Sequence, residues 1–384
     1  MNKKDIYQQC KRCVMDTTAK EIVFDEQGIC NFCKNFEILA HKTIWRPLEV
    51  RLKELDIAVE KIKKIGKNNK YDCLIGLSGG VDSSYICYWA KEAGLRPLVV
   101  HFDNGWNSEL ATQNIEKIIA KTGFDLYTYV INWEDFKDLQ LSYIKASVID
   151  IEVPTDQLIF ASLFKIARKY NIKSVVNGNN ISSEAILPKT WYYADKLDLV
   201  NLQNIHKRFG TRPLKNFPKL GLIQQHINSR LYSMFSVSPL NLLDYDKNQA
   251  KKKLIEEFEW RDYGGKHYES VFTRFYQGYI LPLKFNVDKR KAHLASLVAS
   301  KTMSREEALN ELKKPTYDPD LQKQDYEYAL KKIGLSSEQF DTYMKQDPVE
   351  HAFYGTQWDK KYFKKYYIFK KLAGPFLEMV AKIK

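Results

Sequence analysis

The chain is 384 residues long, 44% apolar and 28% charged, with 60 Lys and Arg against 47 Asp and Glu for a net charge of +13. At about 150 residues per domain the length holds two or three domains with substantial cores, and the composition excludes a disordered or coiled-coil chain. The positive balance points to an anionic partner (nucleic acid, nucleotide or acidic surface) without choosing among them. No apolar run reaches the ~20 residues of a membrane span. The start, MNKKDIYQQCKRC, has no apolar segment of a secretory signal, so the expected compartment is the cytoplasm.

Four of the six cysteines fall in the first 33 residues, as Cys10-Lys-Arg-Cys13 and Cys30-Asn-Phe-Cys33, with 16 residues between the pairs. That is the spacing of a structural zinc site, in which each CxxC turn aims two thiolates at one ion. Four thiolates fill the tetrahedron, so Cys10, Cys13, Cys30 and Cys33 are expected to bind Zn²⁺ for structure rather than catalysis. Asp25-Glu26-Gln27-Gly28 reads as the turn of the intervening hairpin.

A helix is expected from about Pro47 to Lys64, then a buried strand over Tyr71–Leu77, the loop Ser78-Gly79-Gly80-Val81-Asp82-Ser83-Ser84, and a helix from Tyr85 to Glu92. Further strands are expected at Pro97–Phe102, Asp125–Ile131, Ser174–Val176 and around Phe235–Leu243. Helices fall between them at about Ser108–Lys121 and Asp156–Tyr170, with Thr155 and Asp156 as caps of the latter, and Asp246 caps the helix after the last strand. Strands alternating with helices predict an α/β fold, a doubly wound parallel sheet, with ligands outside the carboxyl ends of the strands. The segments 78–84, 101–106 and 177–180 all fall at those ends.

Gly79 and Gly80 permit a tight turn with exposed amides, and the following helix N-terminus completes a phosphate pocket. Ser78, Ser83 and Ser84 add hydroxyls, and Asp82 would repel phosphate without a cation between them, so it reads as a Mg²⁺ ligand. The loop lacks the lysine of GxxxxGK[ST], so γ-phosphoryl transfer is not expected. Asn177-Gly178-Asn179-Asn180 closes a buried strand, where packing gives little reason for three Asn, and is a second candidate binding loop. Cys73 and Cys87 read as small buried apolar residues.

The segment SGGVDSS resembles the PP-loop of the ATP pyrophosphatases, and that resemblance implies the adenine nucleotide alpha hydrolase-like, Rossmann-like form of the fold. In that family the loop holds the pyrophosphate of ATP, a substrate oxygen attacks the α-phosphorus, and a nucleophile displaces AMP. The resemblance also sets His101 and Asp103 beside the adenosine, with an ordinary capped turn as the alternative.

From about residue 261 the chain reads as a helical region. Phe272, Phe275, Tyr276 and Tyr279 form an apolar stripe that reads as core. Lys266 and His267, with Glu269 and Arg274, form a polar cluster after the Gly264-Gly265 pair, placed to close over a nucleotide or to serve structure. Asp288 begins another amphipathic helix, and Ser304-Arg305-Glu306-Glu307 is a capping box. Lys360 to Lys371 interleaves lysines with Tyr362, Phe363, Tyr366, Tyr367 and Phe369, a pattern of a helix docked by its aromatic face, with nucleic acid or membrane contact as the alternative.

CKRCVMD, SGGVDSS, NGNNISSEAILP, YGGKHYESVFTRFYQGYILPLKF and DKRKAHLASL together resemble the N-acetyl sugar amidotransferases of lipopolysaccharide O-antigen and flagellin-glycan biosynthesis, over about residues 10 to 310. Where that family carries a proline after CVM, this chain goes straight to Asp16. Along the chain these readings give three regions: a knuckle at 1–50, a PP-loop domain at 51–260 and a helical region at 261–384. It implies an ATP-dependent conversion of an acetamido group on a sugar nucleotide or nonulosonic acid to an acetamidino group, through an O-adenylyl intermediate, with release of AMP and pyrophosphate. Asp82, Lys266 and His267 are then the catalytic candidates, and Glu184, Glu269 and Arg274 the substrate-binding ones. No N-terminal Cys nucleophile of a glutaminase domain is present, so ammonia is expected from a separate glutaminase subunit or from solution. The runner-up is a PP-loop tRNA-modifying enzyme of thiolation or lysidine type. A non-catalytic zinc-ribbon nucleic-acid binder is the reading from another class.

Overall fold

The computed structural model describes residues 7–232, 234–265 and 268–368, the side chains of 229–232 excepted. After the cysteine knuckle come α1 (Asn31–Lys42), α2 (Leu48–Gly66), β1 (Cys73–Gly76), α3 (Val81–Glu92), β2 (Pro97–Asp103), α4 (Glu109–Thr122) and β3 (Asp125–Val130). They are followed by α5 (Trp133–Lys145), α6 (Val153–Lys169), β4 (Ser174–Val176), α7 (Ile181–Glu184), α8 (Leu199–Phe209), α9 (Leu222–Tyr232), β5 (Phe235–Val237) and α10 (Lys247–Phe258). The five strands pair in parallel in the order β3-β2-β1-β4-β5. The order reverses between β1 and β4, and that crevice is where a doubly wound sheet binds its ligand.

Three boundaries differ from expectation. Strand β5 stops at Val237, and Pro239–Asn241, expected within it, forms a 3-10 turn begun by the proline. Helix α3 begins at Val81, inside the glycine loop, because Gly80 at N-cap already has extended backbone and its carbonyl accepts from Ser84. Helix α6 begins at Val153 with Glu152 as N-cap, so Thr155 and Asp156 are first-turn residues and not caps, and Asp156 pairs with Lys196 at 2.8 Å. Asp246 and Ser304 do cap, on Gln249 and in a full capping box respectively.

The remaining elements are helical. α11 (Val271–Phe275) runs through a π-turn (Tyr276–Ile280) into α12 (Leu281–Phe285), followed by α13 (Lys289–Ala299), α14 (Arg305–Lys313), α15 (Pro319–Ile333) and α16 (Ser337–Lys345). The π-turn has a local cause. Pro282 has no N–H to give the Gly278 carbonyl, and the Thr316 hydroxyl donates to that oxygen at 3.1 Å instead. Phe272, Phe275 and Tyr276 are buried as the stripe predicted.

These helices share one apolar cluster with the knuckle, from Cys10 and Phe36 through Phe136 to Phe340. Arg305 donates to the carbonyls of Cys10 and Cys13, and Lys291 pairs with the buried Asp16 at 2.5 Å, bolting the knuckle to α13 and α14. Near residue 107 an Asn107–Ser270 bridge, with Ser108 N–H on the Glu269 carbonyl and Val271 N–H on the Trp106 carbonyl, stitches α11 to the end of β2. In the segment from residue 360, Phe363 is buried against Trp358 and Tyr367 also meets that indole, while Tyr362 is 59% and Tyr367 47% exposed, so only part of the aromatic face is covered. Phe369 and Lys371 lie outside the described residues.

His351 makes a pH prediction. It is 6% exposed, stacks on Tyr193 at 4.1 Å, and its Nδ1–H donates to Asn201 Oδ1 at 3.0 Å. Burial pushes its pKa down to about 4. The unfolded chain takes up the proton near its ordinary value of about 6.5, so stability present above that pH is lost as the pH falls toward 4, by up to about 3 kcal/mol. Melting curves from neutral pH downward should show the decline, and His351→Gln should remove that part of the slope.

Candidate functional site: a glycine loop facing a basic cavity

Ile75 pairs with Val176, so the loops after β1 and β4 leave the sheet side by side. A Cβ on Gly178 would lie 3.5 Å from the Asp82 carbonyl carbon and the Ser83 nitrogen, so the two predicted loops are in contact. Gly79 has φ +84°, and a Cβ there would come within 2.6 Å of the Ala111 carbonyl, so only glycine fits. Within the loop, Ser83 Oγ accepts from Ser78 N–H at 3.2 Å and donates to the Gly80 carbonyl at 3.0 Å, while Ser78 Oγ accepts from Gly80 N–H at 3.2 Å. Ser84 is fully buried beneath it.

Three aromatic side chains that the sequence reading did not single out hold this loop. Trp260 Nε1–H donates to the Gly79 carbonyl at 3.0 Å. Tyr245 Oη–H donates to Asp82 Oδ1 at 2.6 Å, and burial, then the Asp82 charge, push that phenol's pKa up, so it stays a donor. Tyr263 Oη accepts from Val81 N–H at 3.1 Å. All three lie more than 160 residues from the loop, so no local pattern announces them; the only signal was the YGG beside Lys266.

The other predicted binding residues divide. His101 is buried, and both ring nitrogens are spent: Nδ1–H on the Leu77 carbonyl at 3.0 Å, and Nε2 accepting from Asn107 at 3.0 Å. Burial lowers its pKa, which keeps the ring neutral. Asp103 Oδ1 accepts from Gly105 N–H at 2.9 Å and from Asn107, the capped-turn alternative. Asn177 is held by Ser236 and Ser238, Asn179 N–H donates back to Asn177 Oδ1, and Asn180 caps α7 through Ser182 N–H.

Beside the loop opens a cavity of about 650 Å³. Val81 and Tyr263 line it together with Glu184, Lys247, Lys251, Lys289 and Arg290; Lys251 is paired with Asp262 at 2.6 Å and Arg290 with Asp288 at 2.8 Å. Glu269 sits at the junction, with Oε1 3.6 Å from where a Gly80 Cβ would lie. Arg274 lines the cavity too, but its guanidinium is committed to Asp325 at 2.6 and 2.8 Å and lies over the Tyr268 ring. Lys266 and His267 lie outside the described residues. The Arg274–Asp325 pair is nearly buried, at 11% and 7% side-chain exposure. Asp325→Ala is therefore expected to leave an unpaired buried charge and cost about 3–5 kcal/mol, read as a shift in denaturation midpoint.

The cysteine cluster fits zinc. The four Sγ atoms lie within 4.8 Å of one another, with Cys10–Cys33 at 3.9 Å and Cys13–Cys30 at 3.7 Å. A tetrahedron with Zn–S bonds of about 2.3 Å has edges near 3.8 Å. The N–H groups of Arg12, Cys13 and Cys30 point at Cys10 Sγ at 3.3–3.4 Å, which favours a thiolate there.

A family model described as LPS biosynthesis protein WbpG-like, C-terminal domain, matches residues 269–371. Among curated proteins, a tRNA(Ile)-lysidine synthase of Chlamydia pneumoniae is 39% identical over 71 residues, 17% of this chain and 22% of that protein. A tRNA-specific 2-thiouridylase, MnmA 2, of Fusobacterium nucleatum is 31% identical over 120 residues, 29% of this chain and 34% of that protein. The chain thus spans about a third or less of the curated relatives it matches. Among solved structures, an NMN synthetase from Francisella tularensis is 15% identical at a TM-score of 0.30, over 55% of this chain and 96% of that one. A U34-tRNA thiolase, NcsA, from Methanococcus maripaludis is 14% identical at 0.31, over 80% and 89%.

Proposed function

We propose, from the premise that this chain belongs through residues 269–371 to the WbpG-like lipopolysaccharide-biosynthesis family, the N-acetyl sugar amidotransferases, that it is an ATP-dependent, amidine-forming ligase acting on an acetamido group of a sugar nucleotide or nonulosonic acid. One observation carries the reading. The glycine loop, through Val81, and the family-matched helices, through Lys289 and Arg290, line the same cavity. A nucleotide on the loop and a phosphorylated acceptor in the basic cavity would then meet at Glu269 and the amides of residues 79–81.

The chemistry follows from the poor reactivity of amides. Ammonia does not displace oxide from an amide carbon. The amide oxygen therefore attacks the α-phosphorus of ATP, the bond to pyrophosphate breaks, and the oxygen becomes part of an adenylyl leaving group. Ammonia adds to the carbon and loses a proton, AMP departs with the former amide oxygen, and an amidine remains. The amides at the start of α3 and the hydroxyls of Ser78 and Ser83 would bind the departing pyrophosphate. Asp82 would hold Mg²⁺, which when bound neutralises charge on the phosphates; Tyr245 takes one carboxylate oxygen and leaves the other for the cation. Lys266 and His267 are proposed to stabilise the same charge or to move the proton. Ammonia is proposed to arrive from a separate glutaminase, and the cytoplasm is the proposed compartment.

The two curated relatives are tRNA enzymes by name, which favours a second reading in which the acceptor is tRNA. Sulfur transfer lacks an exposed thiol among the described residues, because Cys73 and Cys87 are fully buried and burial raises both pKa values. A panel of N-acetylated sugar nucleotides with ATP and ammonium, read by mass, separates the readings. An amidine product about one mass unit below the acceptor, with AMP and pyrophosphate, supports the ligase. ADP and orthophosphate as products would defeat it, as would adenylation of tRNA alone.

A further inference from the structure

The first amides of a helix have no partner within the helix and are the natural donors to a bound phosphate. At the start of α3, a helix of 12 residues, one of these donors is already engaged: Val81 N–H points to the phenol oxygen of Tyr263 at 3.1 Å. The same oxygen would lie 3.1 Å from a Cβ on Gly80, so it rests directly on the loop backbone. Burial, then the neighbouring Glu269 charge, keep this phenol protonated, so it is a neutral acceptor. A phosphate oxygen is a charged one and makes the stronger bond to the same donor.

The segment that carries Tyr263 is anchored just before it, and the chain is anchored again at residues 269–271, where Ser108 N–H and Val271 N–H join it to the end of β2. Trp260 Nε1–H is on the Gly79 carbonyl at 3.0 Å, and Arg261 and Asn114 exchange two hydrogen bonds of 2.8 and 2.9 Å. On the other side stand Gly264, at φ +83° with open space where a Cβ would go, and Gly265. Tyr263, Gly264 and Gly265 all line the acceptor cavity.

We propose that Tyr263 is a positioning residue that couples the two halves of the site: its phenol oxygen holds the Val81 amide until a pyrophosphate oxygen takes that amide, and the released ring turns toward the acceptor cavity. This rests on the nucleotide reading of the loop. It makes nucleotide binding the event that reshapes the acceptor pocket, so the two ligands bind with mutual dependence.

Titration calorimetry of the full chain with magnesium pyrophosphate, and separately with UDP-N-acetylglucosamine as a probe of the cavity, tests it. Tyr263→Phe keeps the ring and removes the competing acceptor, so pyrophosphate should bind about two- to tenfold more tightly, the worth of one neutral hydrogen bond. In the wild type, pyrophosphate should change the affinity for the sugar nucleotide, and in Tyr263→Phe that coupling should shrink. A merely structural tyrosine would lower the melting temperature without tightening pyrophosphate. Unchanged or weaker pyrophosphate binding in Tyr263→Phe overturns the coupling role and leaves the loop assignment standing. No pyrophosphate binding by either protein overturns the loop assignment and the coupling with it.

Discussion

Replacing Asp82 is expected to lower AMP-forming turnover by about two to three orders of magnitude, the scale of losing one positioned charge-stabilising group. Asp82 is the second residue of α3, half-buried at the junction of the two ligand loops, with Gly178 packed against its backbone. The choice of variant separates chemistry from folding. Alanine removes the charge but also strands the largely buried Tyr245 hydroxyl, a cost of about 1–3 kcal/mol. Asparagine keeps an oxygen for Tyr245 at the position that now accepts at 2.6 Å and removes only the charge. Asp82→Asn should therefore retain the wild-type melting temperature and still lose turnover, measured as initial rates of AMP and pyrophosphate release. Retained turnover in that variant would remove Asp82 from the mechanism.

Cys10→Ser is expected to lose the metal and, with it, the folded knuckle. A structural zinc contributes about 10–16 kcal/mol of apparent binding energy in small domains, comparable with or above the 5–15 kcal/mol that holds a typical domain together. The four cysteines are all fully buried in the cluster that includes Phe36, Tyr276 and Ala295, so exposing them opens a shared core. Arg305 and Lys291 would lose their partners on the knuckle. Metal analysis of freshly purified wild type should give about one zinc per chain, and the variant little or none, with lower solubility and melting temperature. Wild type without zinc would refute the site.

The sequence reading succeeded where the physics is local. Apolar runs and helical periodicity placed all five strands, and in β1 and β2 the runs are buried as a parallel sheet requires. It did not anticipate α1, α5, α7, α8 or α9; the buried residues of α5 include Asp135, Asp138, Gln140 and Ser142, so apolar periodicity does not mark it. It named Thr155 and Asp156 as caps because both residue types suit that position, but tertiary packing starts α6 earlier and uses Asp156 against Lys196. His101 and Asp103 were named for their place at a strand end, and the structure spends both on neighbours.

By itself the sequence determined the four-cysteine cluster, the glycine loop and the parallel sheet. Each of these depends on residues a few positions apart, whose spacing is fixed by the backbone: two cysteines per turn, two glycines before a helix, strands three to seven residues long. What only the tertiary structure decided is which side chains face one another across 100 residues or more. Tyr245 on Asp82, Tyr263 on the Val81 amide and Trp260 on the Gly79 carbonyl are such contacts. So is the meeting of the loop with Lys289 and Arg290 around one cavity. No periodicity encodes these contacts, because they arise from how helices pack on the sheet, and packing depends on the shape of every buried residue at once.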